Sequence, residues 1–486
     1  MRRVQIILGP PGTGKTTTLL RIVEDALARG VAPERIAYLA FTRKAAYEAQ
    51  ERAMAQFNFN EDRFPYFRTL HSLAFKELGL QRDEVMTDKH YRQLGKAIGV
   101  EFKGIYDDNI GIHTGEGLGD KCSRIDSLSR VGLKDIEQQY KISDVSDLTL
   151  HAVKQYKSSL EKYKEQNGLF DFTDMLQQCK SQLPIDICII DEAQDLSSLQ
   201  YKMAIQSSSL ANEVYIAGDD DQAIFGWAGA DVQKFLSLKG DKMVLPQSYR
   251  IPRSVHNIAQ SVVSRIKKRY PKPWSPRIEK GIVDYVADEQ EIDFSRQGSW
   301  MLLSRSKYLL FRLVRAVRQQ GYAYLFNGTN SLDSEETKAI MCWEKLRKGK
   351  EVARYEIKNM IQFIPMKITL RKKDSYKIKD LGLPEEIKNL DWMEILKSIA
   401  PDEREYVRSC LRNGEKINDK PRITISTIHQ SKGGEADNLV LLTDMGRQSW
   451  EHIADDEENR VWYVAVTRAK EALFIVRPRG LRYFSL

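Results

Sequence analysis

A glycine loop with a strand before it and a helix after it constrains this chain more than any other feature. Residues 4–8 (VQIIL) form a short apolar run, long enough for one buried strand and too short for a helix. They lead into Gly9-Pro10-Pro11-Gly12-Thr13-Gly14-Lys15-Thr16, a complete G-x-x-x-x-G-K-[ST]. From Thr17 to Arg29 the pattern reads as a helix, which Gly30 ends. Glycines let successive backbone N–H groups turn inward around phosphate oxygens, where side chains would block the approach. Lys15 adds a cation at the β- and γ-phosphates, and the Thr16 hydroxyl can ligate Mg2+. The stretch from Gly9 to Thr17 therefore implies a nucleoside-triphosphate site in an α/β fold.

The α/β alternation continues beyond the loop. Residues 35–41 read as a second strand, ending at Phe41 and followed by Thr42 and a helix through Ala55. Residues 67–73, with Thr69 and His71, are a third strand-like stretch leading into a helix. From about 76 to 167 the sequence is polar and helix-rich, broken by a glycine-rich loop at 104–119, as expected of an inserted subdomain. The βα pattern resumes at 170–176 (FDFTDML). The apolar run 185–190 ends at Asp191-Glu192-Ala193-Gln194-Asp195. Paired carboxylates at the carboxyl end of a buried strand sit where open α/β sheets bind ligands. Asp191 would hold Mg2+, mostly through water, and Glu192 would orient and deprotonate the attacking water. Strand 214–217 runs into Gly218-Asp219-Asp220-Asp221-Gln222-Ala223-Ile224-Phe225-Gly226-Trp227. There the neutral Gln222 can sense a γ-phosphate, and Phe225 and Trp227 can stack on bases or serve as core. Residues 243–250 close this first unit.

A second α/β unit follows, with a helix at 254–268, a proline-rich connector at 271–276, a strand at 299–303 and a helix at 307–319. It is interrupted from 331 to 415 and returns with strands at 422–426 and 440–443 and a helix-plus-strand at 460–476. Within the interruption, residues 338–379 hold thirteen Lys/Arg and four Asp/Glu, a local charge of +9 against +8 for the whole chain. Such a surface suits a phosphate backbone, or equally a solvated helical face. No run approaches the ~18 apolar residues of a membrane span, and the amino terminus enters the first strand without room for a signal peptide. The five scattered cysteines form no C-x-x-C and the seven histidines no metal spacing, which fits a reduced, cytoplasmic protein without a disulfide frame.

Together these motifs resemble the superfamily 1 helicases of the UvrD/Rep/PcrA group, from the first strand nearly to the last residue. The resemblance implies two RecA-like P-loop NTPase motor domains with parallel sheets, each interrupted by an inserted subdomain. The first would comprise 1–80 and 168–250 with an insertion at 81–167, the second 251–330 and 416–486 with a reduced basic insertion at 331–415. It implies an ATP- and Mg2+-dependent motor that moves 3′ to 5′ on single-stranded DNA and opens duplex, hydrolysing ATP in the cleft between the motor domains. Its partners would be single strands, single/double-strand junctions, and repair or replication proteins of a bacterial or phage-infected cell, with no membrane. The rivals are a translocase that strips bound proteins with little unwinding, and a non-catalytic DNA-binding recombination partner.

Residue by residue, the resemblance places Arg250 (in Gln247-Ser248-Tyr249-Arg250) at the γ-phosphate and Tyr249 on the adenine. Arg468 (in Tyr463-Val464-Ala465-Val466-Thr467-Arg468-Ala469) becomes an arginine finger. Glu435 (in Thr427-Ile428-His429-Gln430-Ser431-Lys432-Gly433-Gly434-Glu435) becomes the ribose acceptor. For DNA it points to Phe41, Thr42, Thr69, His71, Phe225, Trp227, Arg305, Thr427 and His429. The chain departs from the group in having Ala228 where relatives usually carry Arg. The adenine-reading glutamine that relatives place ahead of the first strand is also missing, and Gln5 lies inside that strand.

Overall fold

The structure, a computed structural model, describes residues 2–58, 60–107, 111–143 and 145–486, without the side chains of Lys44 and Glu61. Met1 and residues 108–110 of the expected glycine-rich loop lie outside the described residues. The chain divides into two compact units. One comprises 1–251, 262–278 and 454–463, and the other 252–261, 279–453 and 464–486.

In the first unit the strands are β1 (Arg3–Leu8), β2 (Ile36–Ala40), β3 (Phe67–Thr69), the small pair β4 (Tyr106–Asp107) and β5 (Ile112–His113), β6 (Ile187–Ile190), β7 (Glu213–Gly218) and β8 (Asp241–Val244). Six of them build one sheet in the order β3-β2-β6-β7-β1-β8, every pairing parallel. A parallel sheet must be covered on both faces, which is why its strands read as continuous apolar runs. Alternate residues divide between two cores. Ile6, Leu8, Leu39, Ile190 and Ile216 face one way, while Ile7, Tyr38, Ala40, Ile189 and Ala217 face the other. Helices Lys15–Ala28 and Arg43–Phe57 cover the second face with Leu19, Leu20, Val23, Ala49 and Ala53. The first face is continuous with the inserted helices through Tyr91, Leu94, Tyr156 and Leu160.

Two stretches hold less strand than their pattern suggests. The stretch 67–73 is strand only to Thr69, whose side chain accepts from Ser72 N and starts helix Leu70–Glu77. Residues 170–176 contribute no sheet strand, because Asp171 accepts from Asp174 N and caps helix Phe172–Gln178. The described ends of the glycine-rich loop are held together. Asp120 Oδ2 accepts from the N–H groups of Lys103, Gly104 and Gly117 at 2.8, 3.1 and 2.9 Å. Gly104 and Gly115 cross so closely that a Cβ on Gly115 would lie 2.3 Å from Gly104 N.

The second unit holds β9 (Ile282–Val286), β10 (Trp300–Ser304), β11 (Tyr324–Phe326), β12 (Thr329–Asn330), β13 (Val352–Ala353), β14 (Ser375–Tyr376), β15 (Ile423–Thr427), β16 (Ala436–Leu442) and β17 (Ala469–Val476). Seven of these form a sheet ordered β12-β11-β15-β10-β16-β17-β9, parallel except for the hairpin partner β12. The basic segment pairs β13 with β14 and roots Ile340, Trp343, Tyr376, Trp392 and Val407 in the same core as Trp300, Ile423 and Val440. Part of its charge is met locally, as in Lys345–Glu356 at 2.7 Å and Lys373–Asp380 at 2.6 Å. All five cysteines are buried and unbridged. No helix among the described residues is long and apolar enough to cross a membrane.

A buried charge cluster ties Arg130 and Lys164 to the start of the helix at Phe172–Gln178. Arg130 reaches Asp171 at 2.7 Å and Asp174 at 2.5 Å, and Lys164 reaches the same two at 2.7 and 2.6 Å. Burial opposes ionisation of Asp171, but Arg130 and Lys164 outweigh it and hold its pKa below the usual range. Asp126 stands 3.6 Å from Arg130 and is pushed up to about 6 by burial, against the pull of that arginine. A folded-state pKa above the unfolded value of about 4 makes the native state the better proton binder, so this group costs stability as pH rises through 6. Asp126→Asn is expected to stabilise the protein at pH 8 by on the order of 2 kcal/mol, with the gain shrinking towards pH 5. Thermal unfolding at the two pH values checks this.

Candidate nucleotide and nucleic-acid site

Because the first sheet is parallel, every strand delivers its carboxyl end to one edge, and the chemistry-bearing loops converge there. The glycine loop follows β1, Asp191 follows β6, Asp219 follows β7 and the 245–250 stretch follows β8. Gly12 and Gly14 take positive φ of 70° and 76°. Thr13 N–H and Oγ1 close the loop on the Pro10 carbonyl at 3.2 and 2.8 Å. The 247–250 motif is clamped onto the loop. Ser248 Oγ donates to Pro11 O at 2.7 Å, and Tyr249 N–H donates to Gly12 O at 2.8 Å. A Cβ on Gly12 would lie 2.3 Å from Arg250 Cβ, so both the turn and the clamp require glycine. The Tyr249 ring lies over Gly14 and is 74% exposed, as a stacking surface must be.

Lys15 donates to Glu192 Oε1 at 2.5 Å and stands 3.5 Å from Asp191. Burial works against its charge, but the two carboxylates outweigh it and raise its pKa. Asp191 is almost fully buried and accepts from Tyr38 Oη at 2.6 Å and from Glu192 N–H at 2.8 Å. Burial raises its pKa against the pull of Lys15. Glu192 sits in the left-handed region at φ 52°, a conformation that costs a non-glycine residue energy and recurs at active sites.

From Glu192 the contacts continue across the sheet. Gln194 Nε2 donates to Glu192 Oε2 at 2.6 Å, while Gln194 Oε1 accepts from Asp219 N–H at 3.0 Å. Gln222 Nε2 in turn donates to Asp219 Oδ2 at 2.8 Å. Gly218 leaves room for this link, since a Cβ there would meet Gln194 Oε1 at 2.4 Å. Burial lifts Asp219 to about 6, although Lys272 pulls it down. The loop thus brings Lys15, Asp191, Glu192 and Gln222 together, with Thr16 and Thr17 in the first turn of the following helix. Tyr38, Gln194 and Ser248 join them as partners that sequence spacing alone does not reveal. Gln5 points elsewhere, donating to Met243 Sδ at 3.8 Å.

Further along the same edge lies an aromatic group. Phe41 and Phe225 have ring centroids 5.6 Å apart, and Phe225 and Trp227 6.4 Å. Trp227 is 42% exposed. Phe41, Phe225, His71 and Ala228 line one recess of about 360 Å³, counting the open solvent within it. His71 packs edge-on against Phe172 and is lowered to about 4 by burial and by Arg43, so it is neutral at pH 7. Thr42 and Thr69 cap helices, each hydroxyl accepting an N–H at 3.2 Å and keeping its O–H to donate.

The remaining candidates belong to the second unit. Thr427 ends β15 and exchanges contacts with Gln430, while Arg305 and His429 are half-buried just beyond strand ends. Arg468 donates from Nε to Val464 O and from an Nη to Gly434 O, both at 3.0 Å. The exposed Glu435 follows directly and stands 3.9 Å from Lys470.

Comparison with known proteins gives concordant matches over both units. The UvrD/REP helicase N-terminal domain matches residues 1–243, and the UvrD-like helicase C-terminal domain matches 133–479. The putative ATP-dependent DNA helicase YjcD of Bacillus subtilis is 23% identical, aligned over 98% of this chain and 77% of that protein. ATP-dependent DNA helicase PcrA of Staphylococcus aureus (strain Mu50) is 20% identical over 99% of this chain and 82% of its own. The solved structure of PRRSV helicase has a TM-score of 0.35 and 11% identity, covering 98% of this chain and 53% of that one, a likeness too slight to bear on the fold.

The clamp over the glycine loop makes a direct prediction. Gly12→Ala sets a side chain against Arg250 and into an unfavourable φ, and is expected to weaken binding of a fluorescent ATP analogue at least tenfold while the protein stays folded. Titration alongside circular dichroism checks both.

Proposed function

The chain belongs to the UvrD/REP helicase family and is an ATP-dependent DNA helicase, and we propose that it moves 3′ to 5′ along single-stranded DNA and separates duplex ahead of it. The observation that carries this reading is the run of contacts Lys15–Glu192–Gln194–Asp219–Gln222, which ends on the loop that also bears Phe225 and Trp227. One segment, 219–227, therefore has a nucleotide end and a base-stacking end.

The residues fit the expected chemistry. No group of three or more His, Cys, Asp or Glu among the described residues could cage a metal. Mg2+ held by one carboxylate and one hydroxyl together with substrate phosphates matches its habit of keeping several waters. Asp191 and Thr16 would hold it, and it would neutralise charge on the β- and γ-phosphates. An arriving triphosphate competes with Glu192 for the Lys15 ammonium. Transfer of that ammonium to the phosphates releases Glu192 to accept a proton from the attacking water. Arg250 and, from the second unit, Arg468 would meet charge developing on the transferred phosphoryl group, an effect worth ~10³–10⁵ in rate in related chemistry. Tyr249 would stack on the adenine and Glu435 would accept from the ribose.

For DNA, Phe41, Phe225 and Trp227 present π-faces that any base can use, which suits a motor that must pass every base. Thr42, Thr69, His71, Arg305, Thr427 and His429 are the candidate backbone contacts. Ala228 brings no charge to the recess it shares with Phe41, which favours looser DNA contacts at that point.

ATP-driven strand displacement on matched partial duplexes with a 3′ or a 5′ tail tests polarity. Opening of the 3′-tailed substrate alone is expected, and opening from the 5′ tail would refute the assigned direction. ATP turnover stimulated by single strands without any opening would establish the protein-stripping translocase instead. Lys15→Ala is expected to abolish turnover, and Arg468→Ala to cut kcat by about 10³ with nucleotide binding largely kept. Trp227→Ala is expected to lower stimulation by DNA more than basal hydrolysis.

A further inference from the structure

Beside the catalytic edge of the first unit, three consecutive carboxylates share one buried cation to which the proposed chemistry assigns no role. Asp219, Asp220 and Asp221 are each at most 1% exposed. Lys272, 5% exposed, places Nζ 2.5 Å from Asp220 Oδ1, 2.9 Å from Asp221 Oδ2 and 3.2 Å from Asp219 Oδ1, and donates to Tyr270 O at 3.1 Å. Arg269 forks onto Asp221 at 2.7 and 2.6 Å, and Tyr270 N–H donates to Asp220 Oδ2 at 2.9 Å. Asp220 and Asp221 thus have partners besides Lys272. Asp219 Oδ1 likewise accepts from Asp221 N–H, at 3.2 Å, and Asp219 differs in that its second oxygen holds the Gln222 amide, at 2.8 Å.

The two oxygens of Asp219 therefore face two different side chains, and fixing one fixes the other. An amide that donates its NH2 to Asp219 turns its carbonyl oxygen the opposite way, and a carbonyl is the end suited to accept from the attacking water. We propose that Lys272 is a positioning residue for ATP hydrolysis, acting through Asp219 to hold the Gln222 amide in its productive orientation. Without the cation, Asp219 stands among like charges in a buried site with only the Asp221 N–H left on Oδ1, and the carboxylate that orients Gln222 is held less firmly. The proposal rests on the ATPase reading of the site and adds a member to it 50 residues along the chain from Gln222.

The test is steady-state ATP turnover with saturating single-stranded DNA for Lys272→Met, Gln222→Ala, the double variant, and Lys272→Met combined with Asp220→Asn. The last pair removes one negative charge with the positive one, restoring the balance of the cluster without restoring the cationic partner of Asp219 Oδ1. Lys272→Met is expected to lower kcat at least tenfold with KM for ATP within about threefold. It should add less than twofold to the loss caused by Gln222→Ala, because residues acting through one another are not additive. In the charge-balanced variant the thermal midpoint should recover and kcat should not. Recovery of kcat along with stability would overturn the proposal, reducing Lys272 to a counter-charge, as would full multiplication of the two single losses. Wild-type kcat in a folded Lys272→Met protein would overturn it too. If Lys272→Met does not fold, the charge-balanced variant carries the same comparison with Gln222→Ala. If Gln222→Ala itself leaves turnover intact, the ATPase role of Gln222 fails, which is a different result from failure of Lys272.

Discussion

Charge gathered at the carboxyl edge of the first sheet must be neutralised within a few ångströms, and the architecture of that unit follows from how this is done. Burial of Asp191 and Asp219–Asp221 is costly unless cations and N–H donors reach them. Lys15 comes from the first helix, Tyr38 from β2, and Arg269 and Lys272 from a segment past residue 262. They come from three separate parts of the chain, so a change in the sheet order would leave an acid unmatched. The same balance of charge is what a triphosphate and its counter-ion would rearrange.

Neither insertion is an appendage. Tyr91, Leu94, Tyr156 and Leu160 of the first share one apolar core with β1, β2 and β6, and Trp343, Tyr376 and Trp392 of the second share one with β10 and β15. Interruptions that looked like separate subdomains in the polar sequence between strands are stitched to their sheets by a minority of large side chains. Movement of either insertion as a free body would expose those rings to water at roughly 25 cal/mol per Å².

Much of the fold was legible because buried parallel strands are apolar without interruption. Residues 4–8, 35–41, 185–190, 214–217 and 299–303 all coincide with strands to within a residue or two. The failures have local causes. Residues 170–176 carry apolar side chains, yet the Asp171 capping box commits them to a helix. The helix expected to 268 ends at Val263, since Asp456 takes the N–H groups of Lys267 and Lys268 from nearly 190 residues away. β9 passed unseen because it is an edge strand with a mostly exposed face. At the site, residue types with fixed spacing were readable, whereas Tyr38, Gln194 and Lys272 act through partners that only the folded sheet brings near. The glycine loop announced the phosphate chemistry, but nothing in the spacing says that Gly12 is also the seat of Arg250.

The first unit is assembled from three intervals of chain, 1–251, 262–278 and 454–463. Its two late pieces bring Arg269, Lys272, Glu457 and Arg460 to the 219–227 loop, with Glu457 against Gly226 and Arg460 on the Asp220 carbonyl. An expression clone cut after residue 251 would keep the glycine loop and the acids Asp191, Glu192 and Asp219–Asp221 while discarding these four partners.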